Sequence, residues 1–297
     1  MEFKPLPSPG KWITLAGSLV LGGLAGWLFS LLRGQSVSPR AFWLGLAFLA
    51  SLLGGAVLLY WTIAAFRLRY RLNRNGLVIR WGAGWQRVPM ERIRAVMPGS
   101  EAARAVRRFR GLHIPGLRAG QGDVAGLGPA RFFAVAPMSQ SVVVKTDRRA
   151  YVISPAEISA FIDAWQRRAP LGTTQTWPEA FERPGFWGSP LWQDSWTWGL
   201  VGAATALFAA LAGFVFHRYQ ALPQSLPVHF DALGQADRIA NKQVMLFLLL
   251  VGGSLLLFNS LLGAYLHRRE RLGAYLLWGL GGAVQAGLFI AMQAMGG

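Results

Sequence analysis

The chain has 297 residues, 53% of them hydrophobic, and a mean hydropathy of +0.33, which leaves room for a few membrane spans and one domain of ordinary size. It contains no cysteine, which excludes disulfide frameworks, cysteine-based metal sites and a thiol nucleophile. A formal net charge of +17 suits an anionic membrane surface. No helix-turn-helix, zinc-finger or RNA-binding sheet signature accompanies it, so no nucleic-acid partner is expected.

In chain order, five apolar runs are long enough to cross a bilayer: 12–32, 42–66, 196–216, 244–266 and 274–295. None holds an Asp, Glu, Lys or Arg, and runs such as "LGGLAG" suit close helix–helix approach. The first run is longer than a signal-peptide core, and no small-x-small cleavage site precedes its "LLRG" exit, so an uncleaved span is expected. Arginines cluster after the second run (Arg67, Arg69, Arg71, Arg74) and after the fourth (Arg268, Arg269, Arg271), which places both segments on the cytoplasmic side. The N-terminus and residues 67–195 are then inside, and residues 217–243 and the C-terminus outside. Arg33 and Arg40, on the external 33–41 loop, are outweighed. The uncharged amides Asn259 and Gln285 within the spans are expected to join helices by hydrogen bonds rather than to mark a transport path.

Between the second and third runs, residues 67–168 read as a β-rich domain. Leu68, Tyr70 and Leu72 alternate with arginines, "RNG" signals a hairpin, and "LVIRW", "GAG" and "WQRVPMERIRAVM" extend a three-strand meander. After a loop-rich middle come "ARFFAVAP", "SVVVKT", a "DRR" turn and "AYVIS". A helix is expected next, with Ser154 at N-cap, Pro155 at N1 and Glu157 at N3. Ile158, Phe161, Ile162 and Trp165 form its apolar stripe.

The segment "RYRLNRNGLVIRWG…QRVPMERIRAV", together with "GLHIPGLRAG" and "YVISPAEISAFIDAW", resembles the bacterial PH-like domains, in the branch found in membrane proteins. Taken with the five apolar runs, the resemblance gives the expected fold class, an α+β membrane protein: five transmembrane helices with an inserted PH-like β-barrel or sandwich capped by a C-terminal helix. It implies a binding or assembly module, with a cytoplasmic protein as partner. The phosphoinositide binding of eukaryotic relatives is not carried over.

Arg104, Arg107, Arg108 and Arg110 sit in "EAARAVRRFRG", which reads as a solvated loop near anionic headgroups, each charge worth about 1 kcal/mol at the surface. A specific anionic ligand is the sharper alternative. Arg67, Arg69, Arg71, Arg268 and Arg269 are assigned the same lipid-surface contact. Residues 169–195 form a linker rich in tryptophan, and Trp177, Trp187, Trp192, Trp196 and Trp198 are expected to anchor the third span at the membrane interface.

The external stretch "LPVHFDALGQADR" holds His229, Asp231 and Asp237, a set that acid–base or metal chemistry could use. The loop is short, no large domain accompanies it to build a dry pocket, and no HExxH or GxSxG motif occurs in the chain. No catalytic residue, cofactor or metal is therefore expected. The pattern "LPVHFDALGQADRIANK" resembles the extracytoplasmic loop domain of SdpI-type immunity proteins, with matches at Pro227, His229, Phe230, Asp231, Gly234, Asp237 and Lys242. It implies an extracytoplasmic loop, in agreement with the topology read from charge. One recognisable module on each face and no catalytic constellation then favour a sensor, regulator or immunity-like protein whose loop recognises a secreted peptide or envelope component. The single apolar run after span four and the inserted PH-like segment depart from that family's pattern. A membrane enzyme or transporter using the His229, Asp231 and Asp237 loop, and a scaffold of a membrane complex, are the competing readings.

Overall fold

The computed structural model describes residues 1–102, 106–184, 188–231 and 235–296. The chain divides into two units, Met1–Gly23 with Ser51–Gly188, and Leu24–Ala50 with Ser189–Gly297. Among the described residues, five helices are long and apolar enough to cross a membrane: α1 (Gly10–Leu32), α2 (Pro39–Phe66), α5 (Ser195–Arg218), α6 (Gln243–Leu266) and α7 (Arg271–Gly296). Leu19, Leu53, Phe258, Leu276 and Ile290 lie exposed on them. Apolar side chains facing outward in this number fit a hydrocarbon solvent and not water.

The first unit carries two sheets. Strands β1 (Glu2–Phe3), β2 (Arg69–Asn73), β3 (Gly76–Trp81), β4 (Gly84–Pro89) and β11 (Ala180–Glu182) form one antiparallel sheet in the order β1-β2-β3-β4-β11. The other is built from β5 (Ile93–Pro98), β6 (Val106–Ile114), β7 (Leu117–Val124), β8 (Gly128–Ala134), β9 (Val142–Thr146) and β10 (Ala150–Ile153), ordered β5-β9-β10-β8-β7-β6. Its β8–β10 pair is parallel. Among the described residues no ladder closes the two sheets into a barrel, so the insert is an open sandwich.

The period-2 reading of β2 holds: Leu68, Tyr70 and Leu72 are buried, and Arg71 and Asn73 face out. They share one core with Ala64 and Ala65 of α2, so the second apolar helix ends inside the domain. The expected meander is corrected at its third strand. β4 stops at Pro89, a 3-10 turn at Met90–Arg92 redirects the chain, and β5 joins the other sheet. Proline has no N–H with which to continue the ladder, so the corner falls there.

After a single helical turn, α3 (Gly99–Ala102), the middle of the domain is strand and not loop. β6 and β7 pair across the Pro115–Gly116 turn, with cross-strand partners Gly111 and Gly120 in the "GLHIPGLRAG" motif. A Cβ on Gly111 would meet the Cα of Gly120 at 2.6 Å, so the two backbones require glycine on both sides. Gly116 has φ +74, and a Cβ there would strike Gly10 N at 2.8 Å, where α1 begins. The motif therefore fits the domain against the start of the first apolar helix.

Helix α4 (Ile158–Arg168) presents the expected stripe, with Phe161 buried and Ile158, Ile162 and Trp165 packed on the core. Its start is later than the Ser154 cap signal indicates. Glu157 is the N-cap, with no side-chain cap bond. The 154–156 backbone is occupied by the N-terminal segment, where Leu6 N donates to Ser154 O at 2.9 Å and Ala156 N to Lys4 O at 2.9 Å. Pro155 bridges Pro5, and the Ser154 and Ser141 hydroxyls are 2.9 Å apart. A tertiary strand contact outcompetes the local cap.

In the second unit α5, α6 and α7 pack together, and buried Gln285 on α7 donates to Gly252 O on α6 at 2.9 Å, the helix–helix bond expected of it. Residues 225–241 form a two-stranded ribbon, β12 (Ser225–Phe230) with β13 (Ala236–Asn241).

Tyr70 is fully buried between the sheets of the first unit. Its hydroxyl donates to Phe133 O at 2.7 Å and accepts from Ser154 N at 3.1 Å. Burial pushes its pKa above the ordinary tyrosine value, so it stays a donor. Tyr70→Phe leaves a buried carbonyl and a buried N–H unpaired, and should cost about 1–3 kcal/mol. A lower thermal-unfolding midpoint for the variant in detergent checks this.

Candidate functional site

The ribbon at 225–241 is placed by its ends. Leu226 is buried with Leu211 and Val215 of α5, Met245 of α6 and Met292 of α7, giving β12 an apolar foot among the helices. Lys242, at the start of α6, directs its Nζ to the carbonyls of Tyr219 (3.4 Å) and Leu222 (3.5 Å) and over the Tyr219 ring. An isolated two-stranded ribbon is marginal in water, so these anchors are what hold it.

At the free end, His229 Nδ1 lies 2.6 Å from Asp237 Oδ1 across the ribbon. A carboxylate only accepts, so Nδ1 carries the proton. The two side chains are 66% and 48% exposed, where such a pair contributes about 0.2–1 kcal/mol to stability at most. Asp231 turns to its own backbone instead: Oδ1 accepts from Gln235 N at 2.7 Å, and Asp231 N donates to Gln235 O at 2.8 Å. The structure thus brings together His229 and Asp237 but gives Asp231 a separate, turn-forming task. Among the described residues no three His, Asp or Glu side chains are arranged to hold a metal ion. Pro227 pairs with Ile239 in the ribbon, and Phe230 ends β12 opposite Ala236. Gly234 lies outside the described residues.

The arginines assigned to lipid contact divide. Arg67, Arg268 and Arg269 are exposed. Arg69 and Arg71 instead face Glu2 of β1, at 3.8 and 3.4 Å. Arg107 and Arg108 lie on β6 rather than in a loop, at a bulge where Arg108 takes φ +49. Arg104 lies outside the described residues. The tryptophan-rich stretch is also divided: Trp196 and Trp198 are exposed at the start of α5, while Phe181 on β11 stacks on Phe133 in the domain core (centroids 6.2 Å apart). Phe186 and Trp187 lie outside the described residues.

Two polar clusters went unread in the sequence. In the first unit, Glu179 is almost fully buried and accepts from Tyr151 OH at 2.6 Å and Arg92 Nη1 at 3.1 Å. In the second, Asp194 caps α5 by accepting from Trp196 N at 3.0 Å, and its Oδ2 accepts from Tyr275 OH (2.5 Å), His267 Nε2 (2.7 Å) and Thr197 Oγ1 (3.1 Å). The bond from Tyr275, then that from His267, hold the Asp194 carboxyl well below the usual carboxylate range. The helix-start signal of an Asp just before an apolar run was available at Asp194; its partners, some seventy to eighty residues on, were not.

Comparison with known families agrees with both motifs. Residues 68–169 match the bacterial PH domain, and residues 206–252 match a domain of unknown function (DUF1648) that encloses the ribbon. No curated protein and no solved structure matches the chain. The fold and the two matches define a multi-pass α+β membrane protein. In particular, it combines a bacterial PH domain with an SdpI-type DUF1648 domain, and neither is of an enzymatic family.

A carboxyl whose folded pKa is depressed stabilises the fold above its unfolded value and loses that contribution as pH falls through the folded one. The Asp194 contribution should therefore be complete at neutral pH and begin to fade only below about 3.8. Asp194→Asn should lower the unfolding midpoint at pH 7 and flatten the dependence below about pH 3.8, as a thermal-melting series from pH 7 to about pH 2 would record.

Proposed function

We propose that this chain is a non-enzymatic membrane sensor or immunity-like protein. Its ribbon recognises an extended peptide or envelope component outside the cell membrane, and its PH domain engages a protein inside. The observation that carries the reading is the form of the ribbon. It is anchored by an apolar foot, its two strands pair only with each other among the described residues, and it displays an exposed His–Asp pair and the exposed Ile239. Unpaired strand edges are ready templates for an extended peptide, which adds main-chain hydrogen bonds while side chains supply selectivity.

The sidedness rests on the arginines after the second and fourth apolar runs. It is also favoured by residues 2–6, which pair with β2 and with the 154–156 segment, so the N-terminal segment and the domain share a side and two helices intervene. Catalysis at the loop draws little support from a two-residue pair whose side chains are 66% and 48% exposed.

Because the chain has no cysteine, single-cysteine labelling is clean. In spheroplasts, Arg238→Cys should react with a membrane-impermeant maleimide, and Arg148→Cys only after permeabilisation; the reverse pattern would overturn the sidedness. His229→Ala combined with Asp237→Asn should leave expression and melting nearly unchanged while altering the cell's sensitivity to envelope-active peptides. Unaltered sensitivity in both this variant and a deletion strain would end the recognition reading.

A further inference from the structure

The face of the six-stranded sheet that packs the domain core changes character within two residues. Leu112, Ala119, Phe133 and Ile153 form one registered row across β6, β7, β8 and β10; the last three belong to the core and the half-buried Leu112 packs on it. The next row on the same face is Arg110, Gln121, Arg131 and Tyr151. Beyond it opens a cleft of about 500 Å³ lined by Arg108, Arg110, Arg131 and Arg149, with Asp123 its one acidic lining residue among those described.

The charges of this cleft are not balanced from within. Arg131 Nη1 donates to a neutral acceptor, Gln86 Oε1, at 2.7 Å. Glu179 is already shared among Tyr151, Arg92 and, at 3.9 Å, Arg149. The Nε atoms of Arg131 and Arg149 are buried and have no hydrogen-bond partner. Burial, then the neighbouring Arg149 guanidinium, lower the pKa of Arg131 from its ordinary value. Buried guanidinium donors without an acceptor are costly, and a fork of N–H groups matches the oxygens of a tetrahedral oxyanion.

We propose that this cleft is an oxyanion site, taking a phosphate group carried either by a soluble metabolite or by a lipid headgroup. Arg131 and Arg149 form its inner wall, and Arg108 and Arg110 guard the mouth. Gln121 of β7 stands between Arg110 and Arg131 in the same row and adds a neutral polar side chain to the lining. The site is separate from the ribbon, and its partner chemistry is anionic rather than peptidic.

The test uses the full-length protein in a phosphate-free maltoside detergent. Inorganic phosphate is titrated by calorimetry, and in parallel the protein is reconstituted in vesicles with and without phosphatidic acid and its thermal shift is read. Arg131→Gln and Arg149→Gln should each weaken phosphate affinity by about tenfold or more, the loss of a charge-assisted hydrogen bond. Arg148→Gln, an exposed neighbour with the same change of charge, should leave it unchanged. Arg110→Gln at the exposed mouth gives a variant whose folding is not at stake, and should weaken binding less. Saturable phosphate binding with this pattern supports the site with a soluble source. A thermal shift that requires phosphatidic acid and is lost in the same variants supports it with a lipid source. No saturable response to either probe, or an equal loss in Arg148→Gln, overturns it.

Discussion

The hydroxyl of Tyr70 makes two bonds, and the PH domain is organised around them. Its oxygen reaches Phe133 O on the six-stranded sheet and Ser154 N at the end of β10, from a residue that belongs to the other sheet. Ser154 in turn meets the Ser141 hydroxyl and the N–H of Leu6. A single buried polar chain therefore fixes the spacing of the two sheets, the seat of the N-terminal segment and the point where the chain leaves β10 for α4. Apolar packing alone would permit sliding between sheets; a satisfied buried hydrogen-bond network specifies one arrangement, because every displaced neighbour leaves a group unpaired.

This dependence explains what the sequence conveyed and what it withheld. The five apolar helices, the alternation of Leu68, Tyr70 and Leu72, and the stripe of Ile158, Phe161, Ile162 and Trp165 are local periodicities and were legible. The Ser154 cap signal misled because Lys4 and Leu6 use that backbone, a contact some hundred and fifty residues distant in the chain. Strands β6 and β7 were hidden by arginine and glycine, residue types that read as loop until the ladder and the tight Gly111–Gly120 approach are known. Glu179 lay in an apparent linker, and nothing local indicates that it neutralises Arg92.

The two chemically suggestive sites differ in how they treat charge. On the ribbon the His229–Asp237 pair is open to water and contributes little to folding, so its residues are free to serve an encounter with another molecule. In the cleft near Arg131 the charges are partly withdrawn from water and incompletely paired, so the arrangement costs stability until an anion arrives. The motif at the ribbon was visible as a string of residues. The cleft was not, since its arginines come from two separate strands, β6 and β8, and the turn before β10.

The last turn of α2 has a mechanical consequence. Ala64 and Ala65 sit inside the domain core, and only Arg67 and Leu68 separate the helix from β2. The 28 residues of α2 extend about 42 Å at 1.5 Å per residue, against roughly 30 Å of hydrocarbon. A helix longer than its bilayer responds to thickness by changing tilt. With only two residues between the end of α2 and β2, a change in the tilt of that end is felt first at Ala64 and Ala65 in the domain core.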